Sequence, residues 1–147
     1  MAYITNEDIE TRLGTAVYIR LTDDEGTGSA NTAVVDEARL GAEAEVDGYL
    51  ARRYAVPIDT VGHPGLSGWL RSLALDIAEF RLHCRRPPVP SELISKRDAA
   101  IVLLQRVARG EASLPAASEL PANSAQGIVG QAVGHRRVLT ESESVTL

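Results

Sequence analysis

Apolar residues recur at helical spacing in three long stretches of this chain, and each stretch is bounded by helix starters and breakers. Between residues 31 and 53, Val35, Ala38, Ala42, Val46 and Tyr49 follow one another at steps of three and four, the spacing of one helix face. Glu37, Glu43, Glu45 and Asp47 mostly fall off that stripe, and Asn31 or Thr32 can cap it. In "LSGWLRSLALDIAEFRLHC" (66–84), Trp69, Leu73, Ile77, Phe80 and Cys84 form one row, with Leu66, Leu70, Ala74 and Ala78 in an adjacent one. Ser72, Asp76, Glu79 and His83 make a polar row on the other side. An apolar face this wide predicts the central helix of the core. "RRPPVP" stops it, because consecutive prolines cannot continue a helix. Ser91 then caps a last helix to Arg109, with Gly110 beyond its end. Ile94, Ile101, Leu104 and Ala108 face one way there, with Ala100, Leu103 and Val107 beside them. Arg97 interrupts this stripe at a core-like position. It either carries its charge out to the surface on its aliphatic stem or pairs across an interface.

The first thirty residues carry shorter signals. "TNEDIETRLG" opens on Thr5 with Asp8 three places on, a capping box with Asp in place of Glu. Ile9 and Leu13 share a face, and Gly14 is placed to end the helix in a left-handed conformation. "AVYIRL" (16–21) reads equally as a turn or two of helix or as a strand. The expected fold is therefore mainly α: a bundle of four to five helices over residues 1–115.

From Glu111 the pattern dissolves into Ala, Ser, Gly and Pro. More than thirty residues without a period are unusual in a compact domain. Residues 116–147 are read as an extended C-terminal arm, either disordered or ordered by a partner. Two short pieces of it are β-capable, "GIVGQAV" and "RRVLTES". They could pair as a hairpin or lie along a strand of another subunit. Ile128, Val129, Val138 and Leu139, with the basic pair Arg136 and Arg137, are accordingly the candidate partner contacts.

Composition sharpens this picture. Hydrophobic residues reach 44% while aromatics stay at 4%, so Ala, Leu and Val must fill the core, which favours closely packed helices. The net charge of −5 argues against a broad face that grips duplex DNA. With the single cysteine Cys84, no intrachain disulfide can form. The start "MAYITNEDIE" lacks a signal-peptide pattern and no apolar run is long enough for a membrane span, so a protein made in the cytoplasm is expected.

Candidate chemistry is sparse. "LTDDEGTGSANTAVVDEARL" (21–40) begins like a calcium loop, but with Asp23 at its first position the twelfth falls on Val34, where a bidentate Glu is needed. A glycine-rich, solvated turn leading to an Asn or Thr cap accounts for the same residues. His83 and Cys84 are neighbours, so on a helix they point about 100° apart and suit joint metal ligation poorly. A solvated His83 and a buried Cys84 are expected. "GLSGW" shares letters with a serine elbow but opens a helix with no preceding strand. No catalytic set, cofactor motif or metal motif emerges, and the expected role is structural. Arg52–Arg53 and Arg85–Arg86 sit where cations complement helix C-terminal dipoles, which leaves Arg136–Arg137 as the basic pair that a helix end does not explain.

The block "AEAEVDGYLARRYAVPI" (42–58), preceded by "LTDDEGTG", resembles the family of gene product 36 of phage Mu. The likeness continues through "LRSLALDIAEFRL" and "RDAAIVLLQRVARGEASLP", spans about residues 2–115, and is loose after Leu120. That family is similar to head–tail connector, or adaptor, proteins of tailed phages. The resemblance implies a helical-bundle subunit of a homo-oligomeric ring, typically of about twelve copies, closed by head-to-tail contacts. Such a ring docks on the portal protein in the virion neck, presents a platform to a tail-side stopper or tail-terminator protein, and lets double-stranded DNA pass through. Asp23, Asp24 and Glu25 would then lie at a subunit edge or near the DNA path. A head-completion or stopper protein is the neighbouring alternative. A small helical DNA-binding regulator is the alternative of a different class.

Overall fold

A computed structural model describes residues 2–114. Five helices follow in order: α1 (Asn6–Leu13), α2 (Thr15–Thr22), α3 (Thr32–Leu50), α4 (Pro64–Cys84) and α5 (Ser91–Arg109). There is no strand among the described residues. The helices stack in three layers. α3 and α4 form the middle, and each touches all the other helices; α1 and α2 cover one side and α5 the other. The assigned arm, 116–147, lies outside the described residues.

Local signals start and stop most of these elements. The Thr5 side chain accepts from the Asp8 amide while the Asp8 carboxylate accepts from the Thr5 amide, so the expected capping box is complete. Gly14 has φ of 79° and ψ of 144°, a positive-φ conformation outside the αL region expected of it. It closes α1 and opens α2 in one residue, and "AVYIRL" is helical throughout. Asn31 is the cap of α3, accepting from the Ala33 amide. The helix ends at Leu50, before the expected Arg53, and a tight turn places Tyr54 1% exposed in the core. Ser91 is the first helical residue of α5 rather than its cap; Pro90 precedes it and no side chain caps that end. Gly110 ends α5 in the left-handed conformation, as expected.

The middle layer buries one continuous set of small and aliphatic residues where α3 and α4 cross. Val35, Ala42 and Val46 of α3 and Leu70, Ala74, Ile77, Ala78 and Leu82 of α4 are all 0% exposed. Alanine at the crossing lets the helix axes approach closely, so aliphatic side chains fill most of the core, with Tyr18 and Tyr54 its buried aromatics. The row expected from Trp69 to Cys84 is buried only in its middle, at Leu73 and Ile77. Trp69 and Phe80 are partly buried and Cys84 is exposed, contrary to the sequence expectation. At about 100° per residue, Trp69 and Phe80 fall at the edge of the buried arc of α4, whereas Cys84 shares the direction of Leu73 and Ile77 but is the last residue of the helix. α5 shows a related correction. Leu93, Ala100, Ile101, Leu104 and Val107 are buried, whereas Ile94 is 42% and Leu103 40% exposed.

Polar side chains lock the layers. Glu43 of α3 accepts from the amides of Tyr3 (2.7 Å) and Ile4 (3.1 Å). The Tyr3 hydroxyl donates to Asp47 and accepts from the Ile58 amide at 2.9 Å. Burial, with the adjacent Asp47 carboxylate, raises the Tyr3 phenol above its ordinary range, so it stays a neutral donor. The polar row of α4 serves α1: Arg12 reaches Asp76 (3.0 Å) and Glu79 (3.4 Å), and Arg71 pairs with Asp8. Arg97 pairs inside the bundle. It donates to Glu45 of α3 at 3.0 Å and lies over the Phe80 ring, while Arg81 reaches the other Glu45 oxygen at 2.9 Å. One carboxylate thus joins α3, α4 and α5.

Candidate assembly surface

The acidic loop between α2 and α3 is held from within and from across the bundle. Asp23 accepts from the amides of Thr27 (3.0 Å) and Gly28 (2.8 Å), so its carboxylate organises the turn. Gly26 and Gly28 supply the positive φ values that the turn requires. The two amides hold Asp23 below the usual carboxylate range. Because the folded value is the lower one, this contribution is present above the ordinary carboxylate range and is lost as pH falls through the lowered value. Arg85 and Arg86, at the end of α4, reach across to the same loop. Arg85 donates to the Leu21 carbonyl and to Asp24, and Arg86 donates to the Asp23 carbonyl (3.3 Å) and to Asp24 (3.2 Å). The pair therefore clamps a distant loop, beyond the dipole role expected of it.

Replacing Asp24 by Ala removes both side-chain clamps. Asp24 is half-exposed, so the stability change should stay below about 1 kcal/mol. Cleavage after Glu25 by a glutamyl-specific protease should nevertheless accelerate several-fold, because local opening becomes easier. Unchanged cleavage would show that the clamp does not hold the loop.

A second surface lies at the opposite end of α4. Leu66 and Trp69 from the first turns of α4, Leu103 and Val107 from α5, and Leu114 from the following segment line an open groove of about 460 Å³. Gly65 forms part of its wall, and a Cβ added there would meet nothing within 4 Å. Arg106 and Glu111 stand among its polar lining. The chain is fastened where it leaves this groove. The Tyr54 hydroxyl accepts from the Leu114 amide at 3.0 Å, and Arg53 donates to the carbonyls of Val107 (3.4 Å) and Ala112 (3.2 Å). Arg53 thus satisfies carbonyls around the end of α5. Val102, next to Leu103 in the chain, is 46% exposed.

Sequence reasoning placed Trp69 and Leu103 in core stripes and so did not find the groove. The available signal was a lone tryptophan at the end of its row, flanked by Gly65 and Gly68. Asp23, Asp24 and Glu25 come together in the α2–α3 loop. Ile128, Val129, Arg136, Arg137, Val138 and Leu139 lie outside the described residues. His83 is partly buried, and burial lowers its imidazole pKa. Among the described residues, no three His, Cys, Asp or Glu side chains are placed to hold a metal ion, and no helix is long and apolar enough to cross a membrane.

Comparison with known proteins fits a phage origin. No curated protein matches the chain. The family model described as "Bacteriophage Mu, Gp36" matches residues 3–131, which takes in all five helices, Ile128 and Val129, and stops before Arg136. The chain belongs to the bacteriophage Mu Gp36 family.

Proposed function

We propose that this protein is a structural subunit of a tailed-phage virion: a head–tail connector that assembles as a ring on the portal, in the neck. The observation that carries the reading is an open apolar groove on a phage-family bundle, placed where residues 115–147 continue the chain. Such an opening lets a partner protein bury apolar side chains against Leu66, Trp69 and Leu103. In this reading the copies contact head to tail, and the ring binds the portal on one side and a tail-side stopper or terminator on the other. DNA passes through the ring without being held. The net charge of −5 suits that passage, and so does the use of Arg85 and Arg86 on the protein's own loop. Asp23, Asp24 and Glu25 then belong at a subunit edge or the lumen, where carboxylates repel phosphate. The protein acts without catalysis or cofactor.

The test is to mix the full-length protein with purified portal rings and, separately, with duplex DNA at low salt. Co-sedimentation with the portal and no retention by DNA are expected. Salt-sensitive DNA binding without portal association would overturn the connector reading in favour of a DNA-binding regulator.

A further inference from the structure

We infer that the α4–α5 groove is the docking site for residues 127–133, "GIVGQAV", of a second copy of this chain. The inference rests on the connector reading and names the contact that would join neighbouring subunits. The groove is apolar at Leu66, Trp69, Leu103, Val107 and Leu114, so its occupant must bring apolar side chains and no charge into the floor. Beyond Leu114 the chain has one long uncharged run, Leu120–Gly134, and Ile128, Val129 and Val133 are its β-branched residues. Side chains at 127, 129, 131 and 133 of an extended segment share one face, which puts Val129 and Val133 together, with Gly127 leaving room for close approach. The family match includes this run through Gln131 and ends before the basic pair, which favours Ile128–Val129 over Arg136–Leu139 as the shared contact. The chain enters its own run from the groove wall at Leu114, fourteen residues before Ile128, a reach of up to about 46 Å when extended. That length spans to an adjacent subunit. Groove and segment are different surfaces of one chain, so each copy offers one of each, and the contact repeats head to tail as a closed ring requires. The exposed Leu103 and the adjoining Val102 are covered by the same neighbour.

Trp69 is the chain's single tryptophan and lines the groove, so its fluorescence reports occupancy directly. In full-length protein, the Trp69 emission should shift to the blue as concentration rises, in step with sedimentation showing larger species. Leu103→Glu spoils the groove and Val129→Glu spoils the segment; each alone should weaken association by about 30-fold or more, the scale of one buried anchor lost. Mixed together, the two variants should form a species of two chains and nothing larger, because the intact groove of one takes the intact segment of the other. Trp69 shielded at every concentration, and unshielded by Val129→Glu without any change in sedimentation, would mean the chain's own segment covers the groove and would overturn the second-copy assignment. Insensitivity of both readouts to Val129→Glu would overturn the segment itself. If that happens while portal rings still bind the protein, the groove assignment falls and the connector reading stands; head-to-tail pairing without portal binding gives the reverse.

Discussion

Leu70→Ala should destabilise the bundle by roughly 2–5 kcal/mol, the range for emptying a leucine from a closed core. Leu70 is 0% exposed on α4, the helix that touches all four others, and its neighbours along the same row are Leu66, Ala74 and Ala78. Helices already in contact through alanines have little freedom to collapse into the cavity, so the upper half of the range is expected. For a domain of this size the thermal midpoint should fall by about 10 °C or more. Urea titration followed by far-ultraviolet circular dichroism measures the change. A loss below about 1 kcal/mol would mean that α4 is not the centre of the fold. Leu40→Ala on α3 is the internal control: Leu40 is 56% exposed and does not line the groove, and its truncation should leave the midpoint nearly unchanged.

A chain ended after Ala116 should keep its helical signal and cooperative unfolding, yet fail to associate with portal rings. The cut retains Leu114, whose amide donates to the Tyr54 hydroxyl, and Ala112, whose carbonyl accepts from Arg53, so the fastening at the end of α5 stays intact. The core assembled from residues 4–114 loses no member. What is removed is the stretch carrying Ile128, Val129, Arg136, Arg137, Val138 and Leu139. Complete loss of portal association with a native circular dichroism spectrum is the expected pair of results. Unfolding of the shortened chain would show that residues 117–147 complete the core, and normal portal binding would show that the bundle alone carries the contact.

Both predictions draw on features that differ in how visible they are in the sequence. The burial of Leu70 was readable, because Leu66, Leu70, Ala74 and Ala78 repeat every four residues and a helix keeps such residues on one face. The capping box at Thr5, the Asn31 cap and the Gly110 stop were readable for a similar reason: each is a bond or a backbone angle set within about four residues. The candidate site was legible only in part. The acidic loop could be recognised as a turn, but not as a clamped one, since Arg85 and Asp24 are sixty-one residues apart. Trp69 was misplaced because a row of residues defines a direction only relative to the helix that it meets, and Cys84 because it is the last residue of α4, a position that face direction does not capture.

By itself, then, the sequence determined a mainly helical chain, the extents of α3, α4 and α5 to within a few residues, their principal apolar faces and the break of character after Glu111. These follow from interactions between residues three and four apart, which the chain carries wherever it folds. Packing in three dimensions brings Arg97 and Arg81 together on Glu45, sets Arg85 and Arg86 on the α2–α3 loop, and opens Trp69 onto a groove. Those outcomes depend on how far each helix rotates about its own axis against its neighbours. That rotation is set by the fit of whole faces, where alanines let axes approach and residues at the edge of a stripe, such as Trp69 and Phe80 on α4, are left partly uncovered.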